Sequence, residues 1–314
     1  MARAYGANVQ LLGKFESAYG TPPSGDYNQF PFVSSDLGSE QGLIASDLLG
    51  QGRDPSAPIR DVIRVEGNVV VPVDLRNFGL WLKALLGAPT TTEDDDTYTH
   101  TFVSGLALLP SLSLEVGMPD IPAYFLSSGI RANSLQLSFS RSGAANATIN
   151  CIAQGEVRAG SSSGGTPVAL SLTRFNQFQG SIKKDGVVLG NVTGAQLTYT
   201  NNLERIETIR ADGKIEGADP TIAALTGNID VRFADTALID AATNNTPIEL
   251  EFYYTINEDF FLTFTAHQVF LPKPKLAVSG PGGIQATFDW QAAKASSPAR
   301  MLTVILNNDV ETYA

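Results

Sequence analysis

VEGNVVVPVDL, residues 65–75, and LTGNIDVRFAD, residues 225–235, share one plan. Each has a Gly-Asn pair, then apolar residues that alternate with other side chains, then an aspartate placed to cap a helix. Alternation with a period of two is typical of a half-buried strand, and aspartate is a favoured residue at helix starts. Each stretch therefore predicts a strand that leads into a helix. The recurrence of the plan predicts an internal repeat.

Further matches extend the repeat in the same order along the chain. The pattern G-x-D-P precedes the two Gly-Asn pairs, at residues 52–55 and 217–220. After them, ATINCIA at 147–153 aligns with ATFDWQA at 286–292. The Gly/Ser-rich run AGSSSGGT at 159–166 is typical of a flexible joint. We therefore predict two tandem domains, residues 1–160 with a long loop at 17–62, and residues 161–314.

Alternating strands dominate the remaining pattern. The alternation is clear in SLSLEVG at 111–117, NSLQLSFSR at 133–141, IELEFYYTI at 248–256 and IQATFDW at 284–290. Such segments are typical of antiparallel sheets with one buried face. The turn sequences KKDG at 183–186 and GPGG at 280–283 predict hairpins. The fold class is therefore mainly β, a pair of sandwich or barrel domains.

Two segments have helical spacing instead. In LRNFGLWLKALLG, residues 75–87, an apolar stripe follows Asp74, which can cap the start, and precedes Gly87, which can end the helix. Trp81 lies beside the stripe, which favours a core or interface residue over a ligand-binding one. TALIDAATNN, residues 236–245, predicts a shorter helix after Asp235. Each predicted domain thus has one flanking helix.

Composition limits the possible functions. The 314 residues are 43% hydrophobic and 17% charged, which predicts a folded chain, and the net charge of -11 argues against a site that grips nucleic-acid phosphates. The single cysteine excludes an intramolecular disulfide and suits a reducing cytoplasm. We see no signal peptide and no apolar run of about 20 residues, so we expect no membrane span.

Residues that could carry chemistry are few. His100, His267 and Cys151 all lie in alternating runs, and no metalloprotease, C-x-x-C, G-x-S-x-G or P-loop pattern is present. We therefore expect no enzyme, no catalytic or cofactor-binding residue and no metal site. The acidic run at residues 93–96 leaves a calcium site as an alternative, but its consecutive carboxylates favour an exposed loop tip.

The predicted loop at 17–62 contains more apolar residues than a free loop usually carries. They are Phe30, Phe32, Leu43, Ile44, Leu48 and Leu49. Large exposed apolar patches commonly mark contacts between proteins. We expect this segment to be buried against another subunit.

Several of these stretches resemble a known family. GKFESAYGTPP, then SSDLGSEQGLIASDLLGQGRDPS, then VEGNVVVPVDLRNFGLWLKALLGAP, then YTHTFVSG with LPSLSLEVG are similar to the tail tube, or major tail, proteins of long-tailed bacteriophages. The similarity covers most of residues 10–160 in order, and the second half shares it only through the internal repeat. No motif in it is catalytic.

The resemblance implies a virion protein, assembled in the bacterial host cytoplasm, that needs no cofactor. In the family, a β-sandwich or barrel-like tube domain with one flanking helix joins its neighbours into an inner barrel, and rings of six domains stack through long loops. The implied partners are further copies of the chain, tail terminator and tail-tip proteins, and a tape measure protein and DNA that pass through the lumen without specific binding. Two domains per chain would give a homotrimeric ring with pseudo-sixfold symmetry. The alternative is six chains per ring with a decorating second domain.

Particular segments receive roles from this interpretation. We expect ring-to-ring contacts at residues 36–64 and 202–224. Alternation places Asp230 and Arg232 on the sheet face opposite Ile229 and Val231, and we assign Asp230 to the lumen, where negative charge would repel DNA. Alternative functions are a tail terminator, the inner tube of a contractile tail, and more remotely a β-sandwich binding module or adhesin.

Overall fold

The chain folds as a mainly β protein in the computed structural model, which describes residues 3–50, 52–276, 278 and 280–313. The described part contains two α-helices, as predicted. The elements of the first half are β1 (Gln10–Phe15), β2 (Asn28–Gln29), β3 (Ser34–Ser35), β4 (Gly38–Ile44), β5 (Ile59–Pro72), α1 (Phe78–Leu86), β6 (Thr90–Asp94), β7 (Thr97–Val103), β8 (Leu112–Met118), β9 (Ala123–Phe139), β10 (Asn146–Ala153) and β11 (Gly155–Ala159). Those of the second half are β12 (Gly180–Lys184), β13 (Val187–Val188), β14 (Val192–Thr200), β15 (Leu203–Ile206), β16 (Gly217–Pro220), β17 (Ala224–Arg232), α2 (Ala237–Asn244), β18 (Ile248–Thr255), β19 (Phe261–Phe270), β20 (Gln285–Ala292) and β21 (Leu302–Asn308).

One antiparallel sheet, here called the main sheet, contains strands from both halves. Its order is β3 and β4, then β5, β10, β9, β14, β17 and β20. The centre of this sheet is the pairing of β9 with β14, which connects the two halves from Ser134 opposite Thr200 to Phe139 opposite Ala195. The division at residue 160 therefore separates two repeats along the chain that share a sheet in space.

Further strands lie beside the main sheet in two groups. In the first half, β2, β1, β8, the beginning of β9 and β11 pair in that order. The second group contains, in order, β13, β12, β18, β19 and β21 of the second half, followed by β7 and β6 of the first half. Aromatic contacts connect this layer to the main sheet, because Phe139 and Trp290 lie within 5.3 and 5.7 Å of Phe252 between ring centroids.

The internal repeat extends to the strand pairing. Apart from the β6–β7 hairpin, each pairing within the first half has a counterpart within the second. The pairs are β1–β2 and β12–β13, β1–β8 and β12–β18, β3–β5 and β14–β17, β4–β5 and β15–β16, β5–β10 and β17–β20, β8–β9 and β18–β19, β9–β10 and β19–β20, β9–β11 and β19–β21. Each half therefore has one and the same topology.

The residue registers of the two halves also agree. Gly67 pairs with Cys151, and Gly227 pairs with Trp290. This matches the alignment of ATINCIA with ATFDWQA residue for residue. The G-x-D-P match is not structural, because residues 217–220 form β16 whereas residues 52–55 lie outside the strands, between β4 and β5.

The two helices begin and end as their capping residues predict. Both carboxylate oxygens of Asp74 accept the backbone N–H of Asn77, at 2.8 and 2.9 Å, just before α1. The N–H of Gly87, at φ 93°, donates to the Lys83 carbonyl and ends the helix. At α2, the Asp235 carboxylate accepts the N–H of Ala237 at 3.0 Å. Trp81 is buried against Phe30, as expected of a core residue.

Three connections differ from the sequence expectation. Residues 17–62 are not a loop throughout, because β2, β3, β4 and the start of β5 lie in them. GPGG at 280–283 does not turn a tight hairpin, since it lies in the long connection between β19 and β20. The Gly/Ser-rich run at 159–166 is held in place, because the buried Glu115 carboxylate accepts the Ser162 hydroxyl at 2.5 Å and the Ser163 N–H at 2.7 Å.

Candidate assembly interface

One face of the main sheet is apolar and buried, and the other is polar. The polar face alternates with the core residues of every strand, as the period of two requires. Its members are mostly amides and hydroxyls, and we call them the polar face: Glu66, Asn68, Thr148, Asn150, Ser134, Gln136, Ser138, Gln196, Thr198, Thr200, Thr226, Asn228, Asp230, Arg232, Gln285, Thr287, Asp289 and Gln291. These side chains are half-buried or exposed, and Arg205 of β15 contacts Glu66 at one end of the face.

Charge on the polar face is sparse and slightly negative. Its ionisable members are Glu66, Asp230, Asp289 and Arg232. Asp230 lies on this face as predicted, opposite the buried Ile229 and Val231, and its carboxylate accepts the Thr287 hydroxyl at 2.5 Å. Most members of the polar face are neutral, and its few charged members give it a small net negative charge.

The main sheet has an open edge at each end. At one end, β3 and β4 pair with β5, and no other described strand pairs with them. At the other end, β20 pairs with β17 along its length but with β19 only at Val269–Ala292 and Phe270–Gln291. Unpaired edges are templates for pairing with another chain. The two ends of one sheet are therefore both available for a second copy.

Two hairpins extend from the main sheet at the positions predicted for ring-to-ring contacts. The first, β4–β5, exposes Leu43, Ile44, Leu48, Leu49, Ile59 and Val62, with Leu49 94% exposed. The second, β15–β16, leaves Ile209 fully exposed, and Ile222 follows it at 87%. Large apolar residues clustered at exposed tips are unusual on a surface that stays in water. Phe30, in contrast, belongs to the core, so not every apolar residue of the 17–62 segment is free for a partner.

Charged contacts fix the second hairpin to the body. Arg205 at the base of the second hairpin forms an ion pair with Glu66 of β5. Arg131 of β9 is buried, and its guanidinium donates to the Asp219 carboxylate at 3.1 Å and to the Ala218 carbonyl at 2.5 Å. The second hairpin is thereby held beside β5 and β9.

The three residues considered as possible catalytic groups, Cys151, His100 and His267, all lie within strands. Cys151 is fully buried in β10, and burial raises the pKa of its thiol to about 12, so it is not a thiolate. His100 is buried in β7 with Thr91 at 2.9 Å from Nδ1 and the Val310 carbonyl at 2.8 Å from Nε2, and burial lowers its pKa. His267 contacts Glu249 and Thr303. Burial of Cys151 and the hydrogen bonds of the two histidines give all three side chains a structural role.

The acidic run and the tryptophans also lie in structural positions. Glu93 and Asp94 end β6, and Asp95 and Asp96 form the turn to β7, with all four residues exposed. Among the described residues, no group of three or more His, Cys, Asp or Glu side chains is arranged to hold a metal ion. Trp81 and Trp290 are both buried, so neither contributes to an exposed aromatic platform of the kind that binding modules use. No helix in the described residues has the length and apolar character needed to span a membrane.

The sequence did not predict that the segment after β21 packs against the start of α1. The Arg76 guanidinium forms a two-pronged ion pair with the Asp309 carboxylate at 2.6 Å on both contacts. Tyr313 is buried beside α1, where its hydroxyl donates to the Arg76 carbonyl. Gly79 leaves space for its ring, since an added Cβ would lie 2.5 Å from two ring carbons. The one sequence signal for the packing of Tyr313 on α1 was Gly79, a glycine inside a predicted helix.

Comparison with known proteins agrees with this architecture. No curated protein matches the chain. The family model described as "Phage tail tube protein" matches residues 6–292, which includes both halves and extends beyond the resemblance seen at residues 10–160. That family consists of structural phage tail proteins and is not an enzyme family. The chain belongs to the phage tail tube protein family.

Proposed function

We propose that the chain polymerises into stacked rings that form the tail tube, the conduit for DNA ejection into the host cell. The observation that carries this proposal is the β9–β14 joint, in which two repeats of one topology already pair edge to edge. A third repeat can be added in the same way only from another chain. Head-to-tail addition of this kind closes a ring when the rotation between repeats divides the circle.

The number of chains follows from the repeat. If the ring has six sheet repeats, as the family resemblance implies, and each chain supplies two, three chains complete it. The β6–β7 hairpin, present only in the first half, would then recur three times per ring and reduce exact sixfold symmetry to threefold.

The polar face is the surface proposed to line the lumen. Amides and hydroxyls offer DNA and the tape measure protein hydrogen bonds no better than those of water, and the few carboxylates oppose close approach of phosphate. Fields from those carboxylates decay within about 8–10 Å at physiological salt. The lumen wall would therefore bind DNA weakly, because it is mostly neutral and hydrated. Asp230 and Asp289 would add a weak repulsion of the DNA phosphates.

The exposed apolar tips of the two hairpins supply the ring-to-ring contacts in this proposal. Leu48 and Leu49 of one ring would be buried against the next, with Ile209 as a second contact. Tail terminator and tail-tip proteins would meet the same surfaces at the two ends of the tube. Assembly would take place in the bacterial host cytoplasm, and the product would be part of the virion.

Mass per ring tests this proposal. Three chains of 33.4 kDa give about 100 kDa per ring (3 × 33.4), and six give about 200 kDa. Scanning transmission electron microscopy of purified tails gives mass per length, and the ring spacing from the same particles converts it to mass per ring. A value near 100 kDa supports the proposal. A value near 200 kDa favours the alternative with a decorating domain, and a single ring at the end of the tube favours a tail terminator.

A further inference from the structure

The connection after β19 occupies the position in the second half that the end of β9 occupies in the first. Ile152 pairs with Arg131, and Gln291, the counterpart of Ile152, pairs with Phe270. Phe270 is therefore the counterpart of Arg131. Continuing from these two residues aligns ANSLQL at 132–137 with LPKPKL at 271–276. Buried Leu135 and Leu137 then correspond to the half-buried Pro274 and Leu276.

The two segments differ in structure although they occupy corresponding positions in the two halves. Residues 134–137 of β9 pair with β10 on one side and with β14 on the other. Residues 272–276 belong to no strand, and the neighbouring edge of β20 from Gln285 to Trp290 pairs with no described strand. A strand position beside β20 is therefore unfilled in the single chain.

Pro272 and Pro274 both correspond to residues of β9 whose backbone polar groups point towards β14. The Asn133 carbonyl accepts the Asn201 N–H at 2.7 Å, so the backbone polar groups of Asn133, and those of Leu135 two residues on, point towards β14. Their counterparts are Pro272 and Pro274. If residues 272–276 lie beside β20, the two positions without an N–H point away from the sheet, towards the next chain. Proline at outward-facing positions and lysine at an edge are two ways in which proteins blunt strand edges.

We infer that residues 272–276 form the chain-to-chain joint, taking the place beside β20 that β9 takes beside β10 and receiving the edge at residues 37–41 of a second copy. The register of the β9–β14 joint transfers to this contact. It sets Pro274 opposite Ser39 and Lys273 opposite Glu40, which are opposite charges. The prolines remove two N–H donors from the joint and keep it weaker than the internal one, so that free chains stay apart until assembly is templated. This inference rests on the proposed function.

The first test restores the missing donors. Pro272→Thr/Pro274→Thr replaces both prolines with a strand-forming residue that has an N–H, and Pro119→Thr/Pro122→Thr, in the exposed β8–β9 turn, is the matched control. Purified chains are compared by analytical ultracentrifugation over a range of concentrations. We expect the 272/274 variant to assemble at a concentration lower by roughly tenfold or more, since each added hydrogen bond contributes to association. Assembly at the same concentration as the wild type and the control would overturn the inference.

The second test fixes the register and does not depend on spontaneous assembly. In phage tails built from Ser39→Cys/Pro274→Cys chains, mild oxidation should link neighbouring chains covalently, because directly opposed residues have Cα atoms about 5.5 Å apart. Ser39→Cys/Lys273→Cys is the control, since residue 273 would point to the other sheet face. Buried Cys151 stays unreactive. Three-chain rings without the Ser39–Pro274 link would overturn this inference and leave the proposed function intact, whereas the absence of tubes would overturn the function itself.

Discussion

Trp290 lies directly opposite Gly227, with its indole packed over the glycine where the main sheet meets the core. A Cβ at residue 227 would lie 2.6 Å from the indole and would clash with the Gln196 carbonyl of the neighbouring strand. The corresponding pair in the first half is Gly67 and Cys151, so one structural position has a large side chain in one repeat and a small one in the other. The Gly-Asn pair that signals the repeat in the sequence thus has a packing reason in the second half.

Gly227→Ala should destabilise the fold by about 1–3 kcal/mol, because the added methyl group overpacks a full core. The free energy of unfolding is measured by urea denaturation. Gly194→Ala in the adjacent strand is the control, since the nearest atom to its Cβ would be 3.5 Å away, in the Asp230 side chain. Equal stability of the two variants would contradict the packing described.

Asp74 should make stability depend on pH in the direction opposite to most carboxylates. Burial raises its pKa from 3.8 to about 6, although hydrogen bonds from Asn77 act the other way. The folded state then holds a proton that the unfolded state has lost, so stability from this group is full below about pH 4 and is lost as pH rises through 6. The loss is on the order of 2–3 kcal/mol.

Asp74→Asn isolates this effect because it cannot ionise and keeps one capping oxygen. Thermal unfolding between pH 4 and 7 should show the wild type losing stability relative to Asp74→Asn as pH rises. A constant difference across this range would mean that the pKa of Asp74 is not raised. Relative to Asp74→Asn, Asp74→Ala should cost about 1 kcal/mol at every pH, since the Asn77 N–H loses its acceptor.

Leu48→Ser/Leu49→Ser should leave the fold unchanged and prevent ring stacking. Both residues are exposed at the tip between β4 and β5, so unfolding should change by no more than about 0.5 kcal/mol. Electron microscopy of tails should show the variant without long tubes. Val187→Thr, another exposed apolar position, is the control. Normal tubes from the double variant would remove this hairpin from the stacking contact.

Asp230→Lys should slow DNA ejection if the polar face lines the lumen. Every chain would add a positive charge to the wall, and lysine would hold phosphates that the native face leaves free. Ejection from variant phage, triggered in vitro and followed by a DNA-binding dye, should be slower at low salt and recover at high salt. Asp96→Lys, in the exposed β6–β7 turn, should eject like the wild type. The same rate for both variants would exclude Asp230 from the lumen.

Local patterns predicted much of the fold and little of its long-range pairing. The strands around Leu114, Leu137 and Phe252 and both capped helices are confirmed, because alternation and capping are local. The β4–β5 hairpin was missed because β4 is exposed or half-exposed along its length and has no alternating pattern to detect. The pairing of β7 with β21 and the closing contact of Tyr313 join residues about 200 positions apart, and no short-range pattern encodes them.

For the assembly surfaces, too, features set by local patterns were predicted and features set by long-range pairing were not. The register placed Asp230 on the open face correctly, because only the period of two was needed. The two open edges were not predicted, since an edge is defined by what fails to pair with it. The strand pairings of the two halves correspond, but the G-x-D-P match has no part in that correspondence. The strand registers separate a structural match from an accidental one. Gly67 and Gly227 occupy equivalent positions in their registers, whereas the two G-x-D-P segments do not.

Cryo-electron microscopy of the tube in intact tails, at a resolution that separates strands, tests the central claim most directly. We expect three chains in each ring, six near-equivalent sheets around the lumen, and residues 272–276 of each chain beside residues 37–41 of the next. Six chains in each ring, with one half of each chain outside the inner wall, would contradict the account.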